Sequence, residues 1–217
     1  MKKVTLFIFG LVMACVLASS AYALQFTFSG SDAGGTGSAT MDIVVDSNTV
    51  QVSLDNTSPL TLDDGTGVNA PGITGFGFQL DPDTLNLLTW TLTDRNGEDL
   101  SEEWELSEDN KWHGILIDYI PHVDHGISGA LYNPMVTEGQ AALPNYYTTA
   151  ILTLVFNDTP ILNTEDYYSP FVRMQNVGTN GAGSLKLSGE PVPEPATVLL
   201  VGTGLIGLIG FRKKFKK

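Results

Sequence analysis

His113, His122 and His125 are the only histidines of the chain, and the last two fall inside Pro121-His122-Val123-Asp124-His125-Gly126. Two imidazoles and a carboxylate within four residues are zinc-ligand chemistry, but a closed site needs further ligands that this spacing does not supply. The proline before and the glycine after predict a solvated polar loop. The His-Asp pairing also suggests a hydrolase triad, yet no Gly-x-Ser-x-Gly elbow occurs. Pairs such as Glu102 with Glu103, or Asp118 with Asp124, have the residue types of a glycosidase acid and base, which act only at a defined separation. With 24 acidic residues in the chain such pairs arise by chance, so the expectation is a protein that is not an enzyme.

Hard oxygen ligands occur in Asp63-Asp64-Gly65, Asp81-Pro82-Asp83 and Asp94-Arg95-Asn96-Gly97-Glu98-Asp99. Asp63, Asp64, Asp81 and Asp83 are the calcium candidates, and calcium is the one ion this composition suits. None of the three runs has EF-hand spacing, since Gly97 comes fourth where that loop needs its glycine sixth. Turn formation and solubility are their simpler roles. Flat faces for a sugar ring come from Trp90, Trp104 and Trp112 and from the pairs Tyr146-Tyr147 and Tyr167-Tyr168. Trp90 lies in an apolar run and is expected in the core. The tyrosine pairs flank strands near Asn and Pro, which makes Tyr146, Tyr147, Tyr167 and Tyr168 the ligand-binding candidates.

These residues must be carried by strands. Val50, Val52 and Leu54 alternate with Gln51, Ser53 and Asp55, and Met41, Ile43 and Val45 alternate in the same way, with Asp46-Ser47-Asn48 between the runs as a hairpin turn. Further strands are expected at Leu24–Ser29, Ile73–Leu80, Asn86–Leu92, Trp112–Asp118, Thr148–Phe156, Phe171–Val177 and Ser184–Ser188. About nine such strands predict an all-β fold, an antiparallel β-sandwich over residues 24–190. Asp99–Asp109 is expected to be a loop or single turn, because Glu102, Glu103, Glu105 and Glu108 would repel one another on a helix. In Ile73–Leu80, Gly75 and Gly77 alternate with Phe76 and Phe78, leaving one face bare for a close neighbour.

The 217 residues carry a formal charge of −13, and the imbalance is concentrated in the body. From Leu24 to Glu190 only Arg95, Lys111, Arg173 and Lys186 oppose 23 acids, a balance of −19 that excludes sequence-independent binding to nucleic acid. The only cysteine is Cys15, so a chain trimmed behind it has no disulfide and depends on a packed core.

The ends read as addresses. Residues 1–23 run from Lys2 and Lys3 through an apolar stretch to Ala21-Tyr22-Ala23, the order of a secretory signal peptide with Ala21 and Ala23 as the signal peptidase site. A retained anchor and lipidation at Cys15 are the alternatives. Residues 191–217 hold Pro193-Glu194-Pro195, an uncharged apolar run from Ala196 to Phe211 and a basic cluster from Arg212 to Lys217. The prolines keep the backbone extended and accessible to a processing enzyme. As a helix the run would be about 24 Å long and would need snorkelling or thinning to span a bilayer as a single transmembrane helix. The basic tail predicts a cytoplasmic C-terminus with the body on the opposite side.

The succession Val192-Pro193-Glu194-Pro195-Ala196, short hydrophobic helix and basic end resembles the PEP-CTERM sorting signal of Gram-negative bacteria. Two phrases of the body, Val52–Pro59 and Ile73–Leu80, also resemble stretches of some PEP-CTERM proteins. The resemblance implies recognition by an exosortase, an integral membrane cysteine protease, with Pro193, Glu194 and Pro195 as the processing motif. It further implies an inner-membrane intermediate held by residues 196–211, then a place at the cell surface or in an extracellular, biofilm matrix. A noncatalytic surface protein is the expected role, with a carbohydrate-binding module for exopolysaccharide, with or without calcium, as the alternative and a secreted hydrolase third.

Overall fold

Alternation sets the architecture. Along Gly35–Asp46, Ala39, Met41, Ile43 and Val45 are buried while Thr40, Asp42 and Val44 face outward, as a strand with one wet face requires. The computed structural model describes residues 22–81, 85–112, 115–123, 130–136, 147–162 and 170–192, and within them the strands are all antiparallel. In chain order they are β1 (Tyr22–Asp32), β2 (Gly35–Asp46), β3 (Thr49–Asn56), β4 (Gly72–Gly77), β5 (Leu80–Asp81), β6 (Leu87–Thr93) and β7 (Trp104–Trp112). There follow β8 (Ile115–Val123), β9 (Thr149–Phe156), β10 (Ile161–Leu162), β11 (Phe171–Val177), β12 (Gly183–Ser188) and β13 (Glu190–Pro191), with one 3₁₀ turn at Thr179–Gly181. The larger sheet has the order β13-β1-β2-β3-β9-β6, the second β12-β11-β4-β8-β7, and β10 pairs with β5 alone.

Both large sheets bury one face in the same core. Phe26, Phe28, Met41, Val52 and Leu54 come from the first, and Ile73, Phe76, Val172 and Met174 from the second. Each such side chain is worth about 1.5–3 kcal/mol when fully buried, which is how a chain without disulfides holds two sheets together. Phe76 and Trp104 meet in a tilted pair with ring centroids 6.0 Å apart.

The expected hairpin is present, with Asp46 opposite Thr49 and Ser47 at a φ of 56°. Ala33 and Gly34, at φ of 51° and 78°, turn β1 into β2, the two positive values a tight hairpin asks for. The bare glycine face has a close neighbour at Gly75, where an added Cβ would lie 3.3 Å from His122 Cβ.

Asp99–Asp109 is no mere loop, because β7 begins at Trp104 and pairs with β8 in register from Trp104↔Val123 to Trp112↔Ile115. The repulsion argument assumed helical spacing, whereas strand geometry sends alternate side chains to opposite faces and lets the buried Trp104 anchor the segment. The Pro121–Gly126 loop likewise begins as strand: Pro121 and His122 belong to β8, opposite Leu106 and Glu105. Proline fits there because β8 meets β4 only at Gly75↔His122, so little of the ladder needs a donor on that side. Ile73–Leu80 divides into β4 and β5, and Trp112 closes β7 instead of opening β8. The count rises from about nine to thirteen among the described residues through β7 and the two-residue strands.

The expected signal peptide, up to Ala21, and the segment 193–217 lie outside the described residues. Among the described residues no helix is long and apolar enough to cross a membrane.

Candidate functional site

Of the acidic candidates, Asp64 is engaged in its own turn and Asp63 ties that turn to the β1–β2 hairpin. Asp63 Oδ1 accepts the Thr36 hydroxyl at 2.8 Å, and Asp63 N–H donates to Gly34 O at 2.9 Å. Asp64 Oδ1 accepts both the backbone N–H and the hydroxyl of Thr66 at 2.8 Å, and these bonds lower its carboxyl below the usual range. Asp81 lies in β5 opposite Ile161, while Asp83 is outside the described residues. Among the described residues, no group of three or more His, Cys, Asp or Glu could hold a metal ion. His122 Nε2 stands 2.9 Å from Glu105 Oε1 across the β7–β8 ladder, whereas His113, Asp124 and His125 lie outside the described residues.

The run from Asp94 to Asp99 is also a turn held by its first carboxylate. Asp94 Oδ1 accepts the N–H groups of Asn96 at 2.8 Å and Glu98 at 2.7 Å, and Oδ2 accepts Asn96 Nδ2 at 2.9 Å. Arg95 leaves the turn to pair with Asp55 at 3.1 Å, and Asp55 Oδ1 also accepts the Thr149 hydroxyl at 3.0 Å. Tyr147 is half-buried two residues before Thr149. Its phenol is pushed above its ordinary value by burial first, then by Glu98, Glu103, Glu102 and Asp94. Tyr146, Tyr167 and Tyr168 lie outside the described residues, Trp104 is core, and Trp90 is only half-buried at the core margin.

A buried asparagine network had no signal in the sequence, since asparagine there reads equally as a turn residue. Asn69 Nδ2 donates to Thr36 O at 2.8 Å and Pro59 O at 2.7 Å, while its Oδ1 accepts Gly178 N–H at 3.0 Å. Asn56 Nδ2 donates to Pro71 O and Leu131 O, both at 2.8 Å, and Asn176 Nδ2 to Ala70 O at 2.8 Å. Together they stitch the loop 57–71 over the junction of the sheets. Beside it opens a cleft of about 350 Å³ lined by Leu62, Val68, Ala70, Asn176, Thr179 and Asn180.

At the chain's C-terminal side, β13 lies against the outer edge of β1, with Thr27 opposite Glu190 and Phe26 opposite Pro191. Gly189 N–H donates to Pro170 O at 2.7 Å and Val192 N–H to Gln25 O at 2.8 Å. The body therefore holds the chain through Val192, and Pro193 is the next residue. Ala23, the described half of the Ala21/Ala23 pair, is exposed in β1 opposite Val44. Pro193, Glu194 and Pro195 lie outside the described residues.

Residues 191–214 match the family model of the PEP-CTERM protein-sorting motif. The chain carries a PEP-CTERM sorting signal. The match begins at Pro191, inside β13, so the signal overlaps the folded body by two described residues. A PEP-CTERM motif marks a chain for sorting by exosortase, and with it for export and a membrane-associated stage before processing. No curated protein and no solved structure matches the chain.

Proposed function

We propose that this is a noncatalytic exported protein whose body, an acidic two-layer β-sandwich, reaches the cell surface or an extracellular polysaccharide matrix after exosortase processing at Pro193-Glu194-Pro195. The observation that carries the reading is the sorting motif at residues 191–214, directly behind a strand docked on the body. Val192, the residue before the motif, is bonded to Gln25, so the chain reaches the motif from the body's edge and not from its core. The test is replacement of all three motif residues by alanine in a host with exosortase, followed by intact mass of the recovered protein. The expected result is wild-type chain shortened near Glu194 and the variant full-length in the membrane fraction. A variant trimmed like wild type would overturn the reading.

A carbohydrate-binding module is the second reading, favoured by one observation. Tyr147 is half-buried against the core within the electrostatic reach of Glu98, Glu103, Glu102 and Asp94, and an aromatic ring and carboxylates are the residue types that a sugar's faces and hydroxyls pair with. With a balance of −19, the body would repel an anionic glycan unless a divalent ion bridged them, so the ligand would be neutral or the binding sensitive to chelator. Binding to a neutral glycan that is lost in Tyr147→Ala would establish this reading, and binding unchanged in that variant would remove Tyr147 from it.

A further inference from the structure

We infer that one end of the body is a lipid-docking surface, seated in the headgroup layer of a bilayer while the sorting segment is in the membrane. The inference rests on the membrane stage of the sorting reading. Both chain ends leave the body at this end. β1 starts here at Tyr22, and β13 runs antiparallel to it, so that Val192, bonded to Gln25, heads toward Tyr22.

The length of chain left over fixes how far the lipid can be. From Val192 to Ala196, where the apolar run begins, there are four residue steps, a reach of about 14 Å when fully extended. Along β1 the three residues from Gln25 back to Tyr22 already take up about 10 Å, and the turn at Ser47-Asn48 lies further still in the same direction. The headgroup layer on each side of the hydrocarbon is about 5–8 Å thick. A body tethered this closely, by a strand pointing at the lipid, cannot clear that layer.

The side chains at this end suit the place. Exposed large hydrophobic residues among those described are Val44, Val68, Leu88, Met135 and Ile161. Val44 lies opposite Ala23, one register position from Tyr22. Leu88 lies in the opening turns of β6, where Leu87 pairs with Phe156 at the end of β9. Ile161 precedes Leu162, whose N–H donates to the Tyr22 hydroxyl at 2.8 Å. These three therefore lie at the end where the tether leaves, Val44 and Leu88 with β3 and β9 between their strands. Val68 and Met135 belong to the opposite end, near Thr36 and Ser58, through the bonds of Asn69 and Asn133. Leu88 and Ile161 are 59% and 58% exposed, apolar area that an interfacial lipid layer would cover. Asp46, Asp81 and Asp158 stand at the same end, so the surface fits a zwitterionic layer better than an anionic one.

The test uses the chain from Leu24 to Lys217 in phosphatidylcholine vesicles, which leaves out the apolar stretch of residues 1–23 and with it Cys15, so that one added cysteine carries a nitroxide. Labels are placed by Leu88→Cys, Ile161→Cys, Val68→Cys and Met135→Cys, with Leu199→Cys reporting the apolar run. Paramagnetic relaxation by oxygen, relative to a water-soluble nickel chelate, reads depth. The expected result is a ratio several-fold higher at 88 and 161 than at 68 and 135, with 199 the highest. Equal ratios at all four body positions, with 199 still in lipid, would overturn the surface and leave the sorting reading intact. An aqueous label at 199 would remove the tether, and the surface with it.

Discussion

Replacing Asn69 by alanine removes three hydrogen bonds at once from a side chain that is 0% exposed. The carbonyls of Thr36 and Pro59 lose their donor, and Gly178 N–H loses its acceptor. An unsatisfied buried group costs about 1–3 kcal/mol, and water entering from the neighbouring cleft can satisfy part of the loss, so about 3 kcal/mol in total is the expected destabilisation. For a body of this size that is a fall in Tm of about 6–12 °C. Urea unfolding followed by tryptophan fluorescence gives the same quantity as a lower midpoint at constant slope. Asn69→Asp is the informative companion, since it keeps an acceptor for Gly178 while losing both donated bonds and burying a charge, and it is expected to be at least as destabilised. An alanine variant within about 0.5 kcal/mol of wild type would mean that the three bonds add nothing beyond what water supplies, and the account of how the 57–71 loop is fastened would be wrong.

Gly178 has a φ of +73°, and an added Cβ would meet the carbonyl oxygens of Asp32 and Ala33, so Gly178→Ala is expected to cost about 2 kcal/mol or more by thermal unfolding, where a neutral result would mean the turn relaxes freely. Tyr147 should titrate above the ordinary 10.0 because its neutral phenol is favoured in the folded state; the associated stability is complete below that value and is lost as pH rises through the folded one, so the late part of the tyrosinate absorbance should lose one tyrosine's amplitude in Tyr147→Phe, and an unchanged late part would refute the shift. Chains starting at Tyr22 and at Leu24 should differ in stability by roughly 1 kcal/mol, because only the first keeps the Tyr22 hydroxyl that accepts Leu162 N–H, and equal unfolding midpoints would refute that contribution.

Period-two alternation made the strands legible wherever a strand has one buried and one wet face. β2 and β3 were readable to the residue at their shared turn because Val45 and Val50 continue the buried rows on both sides of Ser47-Asn48. β7 was illegible for the opposite reason: its acids dominate the local pattern, and only pairing with β8, which sequence does not display, makes it a strand. β13 hides in a Gly-Glu-Pro-Val stretch with no strand propensity at all, since its order comes from the free edge of β1. The site candidates divide in the same way. Asp64 and Asp94 were recognisable as turn formers because the bonds they accept are local, reaching Thr66, Asn96 and Glu98. Asn69 was not, because its partners lie at Thr36, Pro59 and Gly178, far apart in sequence.

That separation also bears on when the fold can be completed. β1 pairs at once with β2 through a two-residue turn, but its other edge waits for β13, the last strand among the described residues. In a chain exported from its N-terminus, the edge of β1 stays open until Glu190 and Pro191 have emerged, by which time the sorting segment directly behind them is reaching the membrane. An open edge is a template for pairing with another chain, and closure by β13 removes part of that hazard. A body whose first strand is capped by its last residues is therefore finished only when its sorting signal is in position. Docking of Val192 on Gln25 then extends that closure to the residue before Pro193.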